Sequence, residues 1–185
     1  MALTDTSLPY GIRDIKVAKL KADGTPDILI DLPNAQTMSF SEAEDFEELR
    51  GDDKVVARRG KGPNIEFELD AGGINLAAAV IMNGGSIVES GTAGSLTRTY
   101  RKRDTDSKPY FYAEGQSISD SGGDFHTKMY RLIADDGFEG SQEDGSFWVT
   151  SVSGTGLGSL QSGAVKGALY DFIQNEVVTD IVASA

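Results

Sequence analysis

The sequence predicts a mainly-β fold: a β-sandwich or barrel with one flanking α-helix, a long projecting hairpin, and extended N- and C-terminal arms. Three observations predict it. Residues 64–70 alternate strictly, with Ile65, Phe67 and Leu69 set between Asn64, Glu66, Glu68 and Asp70. That period of two belongs to a strand with one face packed and the other wet. Short β-rich runs recur along the chain, several separated by glycine turns such as Ser121-Gly122-Gly123 and Asp136-Gly137, which is the spacing of a sandwich or barrel. Only one segment, residues 74–83, reads as a strong helix.

In chain order, residues 1–11 are polar and without period, an N-terminal arm with no core of its own. Residues 12–20 form the first strand, closed by the turn Asp23-Gly24. Residues 27–32, DILIDL, are a short strand between Pro26 and Pro33. Residues 36–40 lead into a hairpin over 41–63. The helix over 74–83 is rich in alanine, Asn75 caps its start, and Gly84 stands where a terminating glycine belongs. It is apolar nearly all round, so it needs burial on several sides, partly by a neighbouring copy. Strands are expected over 86–89, 96–103, 110–116, 124–133, 146–153 and 167–173. Residues 12–153 therefore make the body. Residues 154–163, GTGLGSLQSG, read as a flexible linker, so 154–185 become linker and C-terminal arm.

The hairpin is the most polar part of the chain. Glu42, Glu44, Asp45, Glu47, Glu48, Asp52 and Asp53 precede Lys54, Arg58, Arg59 and Lys61, and the sign changes at Arg50-Gly51-Asp52-Asp53. Gly51 is the residue expected to supply the positive φ of a tight turn. So polar an arm cannot bury itself in its own domain. With one acidic and one basic edge, two copies placed head to tail pair opposite charges, and an open head-to-tail contact generates rings or stacks. The inter-subunit contact is expected to use Glu47, Glu48, Arg50, Asp52, Asp53, Lys54, Arg58 and Arg59.

Composition narrows the function classes. The net charge is -12, from 17 bases and 29 acids, which disfavours nucleic-acid binding through phosphate neutralisation. It suits a wall that DNA must slide past. There is no cysteine, which removes disulfides and thiolate metal sites. Residues 1–11 have neither a basic nor an apolar leader segment, and the longest apolar-rich run, 76–82, is too short for a bilayer. A soluble protein made in the cytosol is expected, with no membrane partner.

No catalytic constellation, cofactor motif or metal-ligand pattern emerges. Arg50-Gly51-Asp52 matches an adhesion tripeptide, but the turn already explains it. Gly154, Gly156 and Gly158 lack the spacing and following helix of a dinucleotide loop. His126 is the only histidine, and a lone histidine is more often structural than catalytic. Asp104 with Asp106, and Asp135 with Asp136, lack the twelve-residue calcium pattern. Arg98, Arg101, Lys102 and Arg103 around Tyr100 resemble a nucleic-acid patch, yet Asp104 and Asp106 follow directly, so a local salt-bridged turn or contact with an acidic neighbour is expected.

The order of these features resembles the major tail tube proteins of long-tailed, non-contractile bacteriophages. The matching features are Tyr10-Gly11 before 15–20, and the hairpin with Glu48-Leu49-Arg50-Gly51-Asp52-Asp53-Lys54-Val55. Helix 76–82 before Gly84-Gly85, Pro109-Tyr110-Phe111, Asp144-Gly145-Ser146-Phe147 before a late strand, and the terminal arm complete the set. The resemblance implies a structural protein of the virion tail, without catalytic residues or cofactor, made in the host cytoplasm. Six copies would form a ring, and stacked rings a tube that conducts the genome without binding it specifically. Its partners would be further copies of itself and the tape measure, tail terminator and baseplate proteins. An acidic lumen is usual in the family, and the candidate lining here is Glu66, Glu68 and Asp70. Two alternatives are a β-sandwich binding or adhesion module, against which the leaderless N-terminus and bipolar hairpin count, and the tube protein of a contractile or secretion system.

Overall fold

The structure, a computed structural model, describes residues 6–182. It is mainly β, with one α-helix. Ten strands follow in order: β1 (Pro9–Lys19), β2 (Ile30–Asp31), β3 (Ala35–Gly51), β4 (Lys54–Gly72), β5 (Ser86–Ser90), β6 (Thr97–Arg101), β7 (Phe111–Ser119), β8 (Asp124–Ala134), β9 (Val149–Gly156) and β10 (Tyr170–Asn175). The helix α1 (Leu76–Asn83) lies between β4 and β5.

The main sheet is antiparallel in the order β2-β1-β7-β8-β9-β4-β3. Strand β8 is the fold's hinge point. Its first half, Asp124–Met129, pairs with β10, while Leu132–Ala134 pair with β9. The sheet therefore divides there into two layers, β1, β7, β8 and β10 in one and β9, β4 and β3 in the other. They pack face to face. Phe67 of β4 meets Phe111 of β7 edge-on, with ring centroids 5.7 Å apart, a favourable aromatic geometry. Ile15 and Val17, Leu69, Met129, Leu132 and Val152 fill the space between. The alternation read in residues 64–70 is the physical one: Ile65, Phe67 and Leu69 are buried, whereas Glu66 and Glu68 are exposed.

Helix α1 lies against β1 and β2. The Asn75 side chain accepts from the backbone N–H groups of Ala77 and Ala78 and donates to the Asp31 carbonyl, so one residue caps the helix and fixes it to the sheet. Gly84, at φ 76°, ends it with its N–H on the Val80 carbonyl.

Two expectations are corrected at the termini. Residues 154–163 are not simply a linker, because β9 continues through Gly156. A Cβ at Gly154 would overlap backbone of β8, and one at Gly156 would overlap Ile65 and Leu132. These glycines mark a close approach rather than flexibility. Nor is the last segment a free arm. β10 pairs with β8, and Ile181 is buried. At the other end, the Leu8 N–H donates to Ser119 Oγ, and Pro9 and Tyr10 already pair with β7. Residues 1–5 and 183–185 of the expected arms lie outside the described residues.

Candidate functional site

Strands β3 and β4, 17 and 19 residues long, run far beyond the body. The departure point is a β-bulge: Glu44 opposes Pro63, but Phe46 opposes Gly60. The extra residues on β4 include Gly62, at φ 103°, and Gly60 leaves the space that the Glu44 carboxylate occupies. A bulge increases local twist and redirects a hairpin. The sequence signal for it is Gly60-x-Gly62-Pro63, which the pattern of charges obscured. Beyond the bulge, residues 44–51 extend about 25 Å at the usual rise per residue. All of them are exposed.

The turn differs from expectation. Asp52 and Asp53 hold the positive φ values, 48° and 61°, and Gly51 pairs with Lys54 in the ladder. Two successive positive φ angles in a two-residue loop fit the right-handed strand twist, and aspartate tolerates them better than most residues.

The acidic and basic arms lie directly opposite one another. Glu47 faces Arg59 and Glu48 faces Arg58. Lys61 Nζ is 3.7 Å from Glu47, Arg50 is 3.1 Å from Glu48, and the Arg58 guanidinium stacks 4.0 Å from the Phe46 ring centroid. Part of the opposite charge expected to pair between copies is thus paired within the hairpin. Asp52, Asp53, Lys54 and Arg59 make no ion pair with a described residue. Phe46, Leu49, Val55 and Val56 remain exposed among these charges.

Glu66, Glu68 and Asp70 stand in one row on the outer face of β4. Their cross-strand neighbours are Ser41, Ser39 and Thr37 on β3, and Thr155, Ser153 and Ser151 on β9. The face is therefore a band of carboxylates bordered by small hydroxyls. Around Glu66 and Glu68, but not Asp70, it forms an open groove of about 540 Å³, to which Asp135 and Asp136 add two more acids. Asp135 accepts from Thr155 Oγ1 and Asp136 from Ser153 Oγ. Lys108 donates to the main-chain carbonyls of Asp135 and Asp136, at 2.7 and 2.9 Å. None of Glu66, Glu68 and Asp70 makes an ion pair with a described residue. The bordering residues escaped the sequence reading, although Thr37, Ser39 and Ser41 alternate with Met38 and Phe40.

The basic run on and just after β6 is largely engaged locally. Arg98 pairs with Glu89 at 2.5 Å, Lys102 donates to the carbonyls of Asn83 and Asp106, and the Arg103 N–H donates to the Asp106 carboxylate.

His126 sits in a buried polar cluster. Nδ1 is 2.7 Å from Glu114, and Nε2 is 3.1 Å from Asp124 and 3.0 Å from the Thr179 carbonyl. Burial opposes its charge, but the hydrogen bonds and charges of Glu114 and Asp124 outweigh that and raise its pKa. Burial likewise opposes the Asp124 charge, while bonds from the Thr179 N–H, Gln116, Asn175 and His126 more than compensate and lower its pKa. Both imidazole nitrogens are occupied inside the protein, so neither is offered to a substrate.

No protein-family model matches the chain, and no curated protein matches its sequence.

Proposed function

We propose that the chain is the structural subunit of a phage tail tube, assembling through its hairpin into stacked, hexameric rings around a genome conduit. The observation that carries this reading is the hairpin itself. Among the described residues its distal half is held only by its own ladder, and it exposes four large apolar side chains. A monomer gains nothing from ordering such an extension against its conformational entropy, whereas a polymer recovers that cost in contacts with a neighbour. Among the described residues the outer edge of β3 is unpaired, and long open edges are sites where chains join unless they are blocked.

The acidic band supplies the conduit. Glu66 and Glu68 are exposed and Asp70 is half-buried, and none of them is paired with a cation among the described residues, which suits a surface that must not hold phosphates. DNA passes without specific binding, and the tape measure, tail terminator and baseplate proteins are the proposed partners at the ends and inside the tube.

Electron microscopy of negatively stained, concentrated protein tests the proposal, with sedimentation as a second measure. Rings or tubes of uniform width are expected. Monomers that stay monodisperse at every concentration, with no response to crowding agents, overturn it.

A further inference from the structure

We infer that the open apolar groove between α1, β2 and β5 receives the hairpin tip of a second copy of this chain. This rests on the tube-subunit reading and adds the receiving surface to it. The groove measures about 420 Å³, and its walls are Ile28, Ile30, Ala77, Val80, Ile81 and Ile87. Helix α1 carries no charged residue. It buries Ala78, Ala79, Ile81 and Met82 inward, while Ala77 and Val80 are only half-buried on the groove side. Ile28 is 71% exposed. An apolar concavity of this kind marks a contact surface when it is bounded by charge. Here the rim is Lys19 and Asp27, and neither makes an ion pair with a described residue.

The tip complements that surface in both respects. Leu49, Val55 and Val56 are exposed beside the turn, at 65%, 48% and 66%. Asp52, Asp53 and Lys54 cap it and make no ion pair with a described residue. Apolar side chains thus match an apolar floor, and the tip offers acids for Lys19 and a base for Asp27. Charges set at the rim in this way fix orientation more than they add affinity. Tip and groove are both open in the single chain, so the match is not made within one copy. They are also different patches, so the contact is head to tail, the kind that closes into rings or continues as a filament.

The absence of cysteine makes cross-linking clean. The probe is the double variant Val56→Cys with Ile28→Cys, oxidised under assembling and dilute conditions. The control pairs Val56→Cys with Phe147→Cys, a 97% exposed position in the loop before β9 and outside the groove. Covalent multimers are expected from the first pair only, and only where wild-type protein assembles. Tubes without these multimers overturn the groove but leave the tube reading standing. A bond formed within dilute monomer also overturns it, and failure of wild-type protein to assemble removes both. Ile28→Glu provides an independent arm. Because the site is exposed, the monomer should fold normally, while its critical concentration for assembly rises about tenfold or more, since a carboxylate would be buried against apolar walls. Unchanged assembly of folded Ile28→Glu overturns the inference.

Discussion

His126 Nδ1 lies 2.7 Å from Glu114 Oε1, and this contact ties β8 to β7. The other ring nitrogen faces the Asp124 carboxylate and the Thr179 carbonyl. The Thr179 carbonyl can only accept and an ionised carboxylate accepts, so this setting favours the imidazolium form of His126. The imidazole ring lies between the Glu114 and Asp124 carboxyl groups, with Lys128 3.8 Å and the Tyr112 hydroxyl 2.6 Å from the far oxygen of Glu114. Thr179 is held in turn by Asp124 and Gln116.

Stability should therefore depend on pH in a defined direction. The raised His126 pKa means its contribution is complete below the ordinary value of 6.5 and is lost as pH rises through the elevated one. The lowered Asp124 pKa means its share is present above 3.8 and is lost as pH falls below that. Urea unfolding of the wild type should show about 1–3 kcal/mol less stability above the His126 transition than below it, the cost of a buried acceptor without its donor. His126→Gln should be less stable at pH 6 and should lose most of this pH slope. An equal slope in the variant would show that the loss comes from other groups.

A second prediction separates two kinds of glycine. At Gly154 an added Cβ meets the Ile133 carbonyl and backbone of Ala134 and Asp135, whereas at Gly115 it meets only the end of the Met38 side chain. Backbone in a paired strand cannot withdraw, but methionine can change rotamer. Gly154→Ala should cost about 2–3 kcal/mol and Gly115→Ala about 1 kcal/mol or less, within the range for overpacked cores. Equal losses in thermal or urea melts would contradict the close approach described for β9.

These glycines show where sequence alone stopped. The alternation around Phe67 and the Asn75 cap are local, and local pattern suffices to read them. Gly154 and Gly156 look the same in a linker and in a strand pressed between two others, and only the tertiary neighbours decide. The same limit hid the cluster around His126. Asp124 and His126 share a face of β8, but Gln116 stands opposite His126 only because of the β7–β8 register, and Thr179 arrives from 53 residues away. The acidic face was half legible: Glu66, Glu68 and Asp70 announced themselves, while their bordering hydroxyls depended on pairing with β3 and β9.

The hairpin's charges can be tested by reversal and by exchange. Arg58→Glu with Arg59→Glu sets acids against Glu48 and Glu47 across the ladder, and sedimentable tube yield should fall while the body's far-UV spectrum is preserved. Adding Glu47→Arg and Glu48→Arg restores the pairing within the hairpin but inverts what a neighbour meets. If assembly uses these charges between copies, the fourfold variant should remain defective. Full recovery would mean that the charges only hold the hairpin together. Each exposed pair contributes only ~0–1 kcal/mol, so the effect must accumulate over many copies.

If the proposed tube forms, the acidic band makes a direct prediction about transport. Glu66 and Glu68 are exposed on a sheet whose opposite face is core, and serine and threonine flank them on both neighbouring strands. Changing them should therefore leave folding and assembly untouched. Glu66→Lys with Glu68→Lys should give tubes of wild-type width and stability. A positive wall would then engage phosphates, each contact releasing counterions from the duplex, so genome ejection from such virions should slow, most strongly at low salt. At physiological salt the screening length is about 8 Å, which, in the proposed tube, would confine the native repulsion to the layer beside the wall and leave the channel open. The sharpest measurement is ejection rate against ionic strength. A variant slope steeper than that of the wild type supports an acidic lumen. Intact tubes with identical slopes would place this face on the outside of the tube, where its charge serves only solubility.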